Sequence, residues 1–391
     1  MPKIGALTLT SAETFDFRLL IKALGKGEKG SRSLTFAEAS LLLEGFALGH
    51  ATRVQMASAM MLMRVRGETV DEVAGIVAGL RHSLHRDWPS LAVDIDWPVY
   101  AGKREQLPWL LLVASLLAKQ GFRVMLHGDS QALPHRRHVE SCLDALNIRC
   151  GTNPQSAAQV LASDNIVYVR AGDLVPVLDD CRQLHQELGL RSVIQTAARC
   201  INPSNAPISL RSYFHPGLDD LHQQVSETLF AKNEYSAGHI AIFKGLQGET
   251  EFNPRVSTLM KVVSGQAANV TVSSLTVPTL LAGFFGAKVG QADLSSDILA
   301  LLWRESQPLE STELSRVMSR TMIEQASSSI IATLTAVLLL LNQQSNNSVG
   351  LQQPLTVEQA INLSQQCWQH RFSYTNNPLA QWHKKERLCA V

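Results

Sequence analysis

The sequence has 391 residues, 45% of them hydrophobic and 18% charged, so it is long enough for one large or two moderate domains and too apolar for a disordered chain. Its net charge of +1 excludes a globally basic protein, so any binding of nucleic acid has to depend on local clusters of Lys and Arg. Six scattered cysteines lack metal-site spacing and indicate reduced thiols in the cytoplasm. We expect neither a signal peptide nor a membrane span, because the apolar run Ile330–Leu341 is too short.

Helical patterns dominate the first 88 residues. At two of the predicted helix starts, Thr35 with Glu38 and Thr69 with Glu72, a Thr and a Glu occur three residues apart, which is the pattern of a capping box. The predicted helices cover residues 15–24, 35–48, 52–63 and 69–84. The glycine-rich loop after the first helix carries Lys26, Lys29 and Arg32. These cations are candidate phosphate contacts, and the alternative is a solvated basic loop.

Strand and helix patterns alternate from about residue 92 to 273, which predicts a parallel α/β domain. Predicted strands cover residues 93–95, 122–126, 166–170, 192–195, 239–243 and 269–273. Predicted helices cover residues 106–119, 134–148, 154–161, 174–188 and 217–232, and the chain is mainly helical from 311 with a polar loop at 343–353. The predicted fold class is α/β. It has an N-terminal helical bundle domain (1–88), which a later helical segment can complete. The second domain (89–391) is larger and has a doubly wound, mostly parallel sheet with helices on both faces.

The loop after the first strand lies where ligands bind in such sheets, outside the carboxyl ends of the strands. A phosphate-cradling loop needs several glycines, and this one has only Gly102. It offers Trp97, Tyr100, Lys103 and Arg104 instead, which is a combination suited to base stacking and phosphate contact. The alternative is a packed aromatic pair at the start of a helix.

Three further cations are candidates for binding. Lys244 and Arg255 flank the loop after the strand 239–243, and Arg199 follows a predicted strand. The alternative for Arg199 is a structural salt bridge. A cluster of His and Arg at 135–138 opens another predicted helix, where cations oppose the helix dipole; it is a binding candidate or a solvated surface.

Several stretches together resemble the anthranilate phosphoribosyltransferase family. They are RVRGET at 64–69, RVMLHG at 123–128, HQELGLRSVIQTAARCINP at 185–203 and HIAIFKGLQGETE at 239–251. The resemblance implies a helical domain joined to an α/β domain, and a homodimer formed through N-terminal helices.

The chain departs from that family at the residues that carry its chemistry. The family's Gly-Thr-Gly-Gly-Asp loop corresponds to residues 96–102, and its Lys-His-Gly-Asn-Arg segment to Leu126–Ser130, which lacks both basic residues. Its Asp-Glu magnesium pair falls on Thr250 and Glu251, and an arginine that helps to hold anthranilate falls on His185. Because the transfer needs a bound diphosphate and a metal, these departures predict no catalytic residue, no metal site and no cofactor.

The departures are similar to those of the YbiB-type branch of the family, which binds nucleic acids. The resemblance therefore predicts a non-catalytic, cytoplasmic, homodimeric protein that binds DNA or RNA with little sequence preference. Two alternatives remain open: a phosphoribosyltransferase with an altered substrate, and a protein-interaction scaffold. The candidate nucleic-acid contacts are Lys26, Lys29, Arg32, Trp97, Tyr100, Lys103, Arg104, Arg199, Lys244 and Arg255.

Overall fold

The computed structural model describes residues 14–104, 106–129, 136–266, 269–281, 294–349, 355–373, 377 and 379. A bundle of four helices forms the N-terminal part. Helices α2, α3 and α4 each begin with a reciprocal capping box, in which a Thr hydroxyl accepts from the backbone three residues on and a Glu or Gln side chain accepts in return. The bundle helices are α1 (Arg18–Gly25), α2 (Phe36–Ala47), α3 (Arg53–Arg66) and α4 (Val70–His82).

A seven-stranded sheet follows, with the strand order β3-β2-β1-β4-β5-β6-β7. The first five strands of this order are parallel, and β6 and β7 are antiparallel additions. The order reverses between β1 and β4, and such a switch point is where open α/β sheets bind ligands. The strands are β1 (Ile95–Val99), β2 (Val124–Gly128), β3 (Ile166–Arg170), β4 (Ile208–Tyr213), β5 (Gly238–Lys244), β6 (Thr258–Gln266) and β7 (Asn269–Val277).

Helices cover both faces of this sheet, as predicted. Alternate residues of each strand point to opposite faces, so Leu126 of β2 packs in one core and Met125 in the other. The second core continues into the N-terminal bundle. The remaining helices are α5 (Leu110–Lys119), α6 (Pro154–Asp164), α7 (Ala171–Leu174), α8 (Val177–Leu188), α9 (Val193–Ala197), α10 (Leu218–Ala231), α11 (Asp297–Arg304), α12 (Thr312–Val317), α13 (Arg320–Val349) and α14 (Val357–Gln369).

Helix α13 is the long apolar helix of the C-terminal region. Its segment Arg320–Gln344 has the length and composition of a membrane span, but 83% of its most apolar window is buried inside the protein. Apolar side chains of α13 pack in the same core as those of α5 and β1. The segment is therefore placed as a core helix, which agrees with the interpretation of its apolar run.

Three secondary-structure predictions were wrong. The predicted strand 192–195 is the start of α9, because Ser192 and Gln195 form a capping box that outweighs the strand preference of Val193 and Ile194. The predicted loop at 343–353 continues α13 as far as Val349, and residues 350–353 lie outside the described part. Strands β4 and β6 were not predicted.

The third error is the helix predicted at 134–148. Two short 3₁₀ turns, Val139–Cys142 and Asp144–Leu146, occupy this segment, and Pro134 and His135 lie outside the described residues. The second turn ends at Asn147, whose φ of 54° places it in the left-handed region. The segment therefore does not form the continuous helix that was predicted. At its start, Arg137 pairs with Lys103, in the loop after β1, through an isolated antiparallel bridge.

Candidate functional site

The carboxyl end of β1 and the loop that follows it are hydrogen-bonded to the loop after β5. Trp97, which was predicted in the loop after the first strand, lies in β1 itself. The indole Nε1 of Trp97 donates to the carbonyl oxygen of Thr250 at 2.9 Å, and the Thr250 hydroxyl donates to the carbonyl oxygen of Pro98 at 2.5 Å. The backbone N–H of Gly102 donates to the Glu249 carboxylate at 2.8 Å. These bonds fix the loop after β1 at the switch point of the sheet.

Lys103 and Glu251 form an ion pair beneath this loop, and both side chains are fully buried. The Lys103 ammonium also donates to the carbonyl oxygen of Leu246 at 3.2 Å, and the second oxygen of Glu251 accepts from the backbone N–H of Leu110 at 2.8 Å. Burial raises the pKa of Glu251, and the Lys103 ammonium opposes that rise. Every oxygen of the Glu251 carboxylate therefore has a partner from the protein.

The arrangement does not fit a magnesium ion at the position that the resemblance implies. Thr250 replaces one carboxylate, and Glu251 is neutralised by Lys103. Among the described residues no group of three or more His, Cys, Asp or Glu side chains could hold a metal ion. We therefore derive no metal-dependent step.

A buried polar chain runs from β1 to the loop that follows it. His127 lies with Nε2 3.0 Å from the Asp96 carboxylate and Nδ1 2.9 Å from the Tyr100 hydroxyl. Ser209 donates to the other oxygen of Asp96 at 2.7 Å. Burial, and next the charge of Asp129, raise the pKa of Tyr100 well above its ordinary value. This series of hydrogen bonds holds the half-buried Tyr100 side chain, in its neutral form, at the switch point. His127 is a structural residue that positions Tyr100.

Guanidinium groups converge beside this loop. Arg136 donates to the carbonyl oxygens of Ala101 at 2.9 Å and Gly102 at 3.1 Å. Arg199 donates to the carbonyl oxygen of Ser212 at 3.2 Å, and its buried Nε has no hydrogen-bond partner within the described residues. Both arginines are half-buried, and the bonds to backbone oxygens fix their positions while leaving donors unused.

Two exposed arginines complete what we call the arginine cluster, namely Arg104, Arg136, Arg191 and Arg199. Burial lowers the pKa of Arg136, and the charges of Arg191 and Arg104 lower it further. Burial also lowers the pKa of Arg199, where Glu249 opposes the effect and Arg191 adds to it. The charges of Arg104, Arg191 and Arg199 all act on Arg136, and a surface of like charges attracts anions.

His138 lies against the same loop. Its ring is buried, and neither nitrogen has a hydrogen-bond partner among the residues that the structure describes. Burial lowers the pKa of His138, so the ring is neutral at pH 7. A Cβ added at Gly102, whose φ is +67°, would lie 3.3 Å from His138 Nε2. A buried imidazole without a partner, close to Arg136, is a ready hydrogen-bond donor to a ligand.

The structure divides the ten predicted contacts into two groups. Trp97 has no exposed ring face, so it cannot stack on a base in this conformation, and the fully buried Lys103 cannot reach a phosphate. The Arg32 side chain is 55% exposed, but both of its terminal nitrogens donate to Glu38 at 2.6 Å, so it is already paired. The other predicted contacts keep some exposed surface; they are Lys26, Lys29, Tyr100, Arg104, Arg199, Lys244 and Arg255.

Sequence reasoning did not select Arg136, His138 or Arg191. The sequence marks the cluster at 135–138 as a binding candidate or a solvated surface and does not decide between the two. Arg191 follows the helix-ending Gly189, whose φ is 67°, and nothing in the local pattern marks it. Both segments approach the loop after β1 only through tertiary packing.

Comparisons with known proteins give the same fold. Residues 18–84 match the glycosyl transferase family, helical bundle domain. Anthranilate phosphoribosyltransferase from Thermus thermophilus superposes with a TM-score of 0.60 at 16% identity, over 95% of this chain and 99% of that one. The Saccharomyces cerevisiae enzyme in complex with PRPP and Mg gives 0.63 at 12% identity, over 96% and 98%. The chain has the anthranilate phosphoribosyltransferase fold.

Sequence relatives agree with this assignment. Anthranilate phosphoribosyltransferase from Nitrobacter hamburgensis is 31% identical over 186 residues, which is 47% of this chain and 54% of that protein. The uncharacterized protein YbiB from Escherichia coli is 23% identical over 259 residues, or 65% and 78% of the two chains. The match thus spans about half the length of the Nitrobacter relative. The resemblance seen in the sequence is confirmed, and the nucleic-acid-binding role stays a prediction.

Proposed function

We propose that the protein binds DNA or RNA with little sequence preference and does so without catalysis. The observation that carries the proposal is the arginine cluster at the switch point of the sheet. Arginine recognises phosphate through several donors in a fixed geometry, and phosphate contacts carry no sequence information. The proposed setting is the cytoplasm.

The surroundings of the arginine cluster support the proposal that the protein is not a catalyst. The loop after β1 is tied by hydrogen bonds to the loop after β5, and a buried lysine neutralises Glu251. Phosphoribosyl transfer needs a metal and room for a diphosphate at this edge. A surface that attracts anions but lacks the metal ligands supports binding rather than group transfer.

A long anion is preferred over a single phosphate because exposed cations extend beyond the cluster. Lys244 is exposed at the end of β5, on the same edge of the sheet, and Arg255 is exposed in the loop that follows. Within the cluster, Arg104 is exposed in the loop that follows β1. Cations spaced along the carboxyl edge match the repeated charges of a nucleic-acid backbone.

The test is a titration of fluorescent single-stranded and duplex probes at several salt concentrations, read by anisotropy. The double variant Arg104→Gln/Arg191→Gln should bind all probes more weakly. If both side chains engage, its slope of log affinity against log salt should fall by about 0.9 per lost contact on duplex and about 0.7 on single strands. The matched control is Arg86→Gln/Arg316→Gln, which removes two exposed charges elsewhere. Absence of salt-dependent binding in the wild-type protein would reject the proposal.

A phosphoribosyltransferase with an altered substrate is the second candidate, because three of the proteins compared above carry that activity in their names. The arginine cluster offers it an anion site. Such an enzyme would have to act without the metal position that Lys103 and Glu251 now fill. A saturable affinity for phosphoribosyl diphosphate, with no binding to polynucleotides, would favour this candidate over the first.

We also propose a homodimer built on the N-terminal bundle. A groove of about 610 Å³ lies between α1 and α3. Its lining combines the apolar side chains of Ile21, Val54, Met61 and Leu62 with the cations Arg18, Lys22 and Lys26. Val54 is 75% exposed in the single chain. An apolar groove on an amphipathic bundle is suited to burial against a second copy, since closed two-fold dimers are the commonest oligomers.

A further inference from the structure

A second cavity lies at the opposite edge of the sheet from the arginine cluster. Its volume is about 460 Å³, within the range typical of small-molecule sites. Lys119 ends α5, Asp164 ends α6 and Ile166 begins β3, so this is the edge where the parallel strands begin. The cavity therefore shares no residue with the site described above.

A tryptophan forms one wall of the cavity. The Trp303 ring packs edge-to-face against Trp368 at 6.0 Å and against Phe372 at 5.9 Å. Arg371 holds the backbone of Trp303 by donating to its carbonyl oxygen at 2.8 Å. The indole is half-buried and lines the cavity, so its orientation is set before any ligand arrives. A fixed indole face is a surface on which planar rings stack.

The uncompensated charge in the cavity is positive. Lys119 and Arg304 line it, and neither has an ion pair within the described part of the chain. Lys119 instead lies 4.8 Å over the Phe372 ring. The one acidic group in the lining, Asp164, is neutralised by Arg149 at 2.6 Å. The cavity thus presents two cations beside an aromatic wall.

The lining also contains an unused hydroxyl. Ser115 projects from α5, and its buried Oγ has no hydrogen-bond partner in the described residues. Buried hydroxyls are normally bonded, and one without a partner in a cavity can bond to a ligand. We infer that this cavity binds a small planar aromatic anion, with its ring against Trp303 and its negative group between Lys119 and Arg304.

Two kinds of molecule share this chemistry, a nucleoside monophosphate and an aromatic carboxylate. Calorimetry on the full-length protein with adenosine monophosphate and with benzoate separates the two sources. Adenosine and inorganic phosphate are the controls that lack the charge or the ring. At least one aromatic anion should bind, and its matched control about tenfold or more weakly, since a charge-assisted hydrogen bond contributes that much.

Three variants locate the binding. Arg304→Gln should weaken it about tenfold, whereas Arg316→Gln, an exposed helical arginine elsewhere, should not. Ala300→Leu should abolish the binding, because the larger side chain on α11 would fill part of the cavity. Trp303→Phe should remove the change in tryptophan fluorescence that accompanies binding.

The inference stands apart from the proposed function. The variant Arg104→Gln/Arg191→Gln should keep full affinity for the aromatic anion while it loses affinity for polynucleotides. The inference is overturned if neither aromatic anion binds at concentrations up to about 1 mM. It is also overturned if Arg304→Gln leaves the affinity for the aromatic anion unchanged and Arg104→Gln/Arg191→Gln abolishes that binding.

Discussion

Lys103 extends beneath the loop after β1 and pairs with Glu251, and neither side chain has any exposed surface. A buried ion pair of this kind costs desolvation that its own attraction only partly repays. Its effect here is to fasten the loop, because the same lysine donates to Leu246 and the same glutamate accepts from Leu110. The pair closes the edge of the sheet on which an enzyme of this fold would work.

The first prediction concerns the stability that the pair contributes. Lys103→Met leaves the Glu251 carboxylate buried and uncompensated, so the free energy of unfolding at pH 7 should fall by about 3–5 kcal/mol. Because burial already raises the pKa of Glu251, the carboxyl should take up a proton in the variant, and the loss should be smaller at pH 5. Urea denaturation at both pH values measures this loss in the free energy of unfolding. A second variant, Lys103→Met/Glu251→Gln, should recover part of the loss.

The second prediction concerns catalysis. With Thr250 in place of a carboxylate and Glu251 engaged by Lys103, the protein should show no turnover of anthranilate with phosphoribosyl diphosphate and magnesium. The assay follows anthranilate fluorescence against a buffer control. Turnover that depends on magnesium would contradict the prediction and favour the altered transferase.

The sequence could predict those parts of the fold that depend on local patterns. The capping boxes at Thr35, Thr52 and Thr69 each lie within four residues, and the alternation of strand and helix is read along the chain. The error at α9 is of the same kind, because Val193 and Ile194 favour a strand and the cap at Ser192 decides for a helix.

The site was less predictable because tertiary packing decides which of its charged side chains are exposed and which are buried. Arg104 and Lys103 are neighbours in the sequence, yet one is exposed and the other fully buried. That difference depends on Glu251, which comes from a loop after a distant strand. Arg136 and Arg191 come from segments far from this loop in the sequence. The pattern at 135–138 leaves a binding cluster and a solvated surface both open, and nothing local marks Arg191. Composition alone therefore indicates that cations are present but not which of them face a ligand.

The third prediction concerns pH and the bundle. Hydrogen bonds to Glu234 and Glu44 raise the pKa of His82 to about 10. The folded state therefore holds this proton more tightly than the unfolded chain, whose His pKa is about 6.5. The stabilisation is fully present below that value and is lost as pH rises towards 10. The side chain is 47% exposed, which reduces the effect. Melting of His82→Gln and wild type should differ at pH 6 and converge by pH 10.

The fourth prediction concerns assembly. Val54→Lys places a charge in the groove between α1 and α3, so it should convert a dimer to a monomer at micromolar concentration. Val65 is 79% exposed on the same helix but does not line the groove, so Val65→Lys is the matched control. Light scattering coupled to size exclusion measures the mass. A monomeric wild-type protein would contradict the proposed dimer.

The last prediction separates the cations of the loop between α1 and α2. Arg32 is bonded to Glu38, and that hydrogen bond lowers the pKa of the carboxyl, so this arginine serves the start of α2. Lys26 and Lys29 are exposed. If the loop holds phosphates, Lys26→Gln/Lys29→Gln should reduce the salt slope of duplex binding by up to about two units, and Arg32→Gln should leave the slope unchanged.

The measurement is the same anisotropy titration on all three proteins. Arg32→Gln should instead raise the pKa of Glu38, because the carboxylate loses its main donor. Two other results would each change the interpretation of this loop. An unaltered slope in the lysine variant would mean that the loop is a solvated surface, and binding would then depend on the arginine cluster alone. A reduced slope in Arg32→Gln would mean that the ion pair opens on binding and that Glu38 releases its partner to a phosphate.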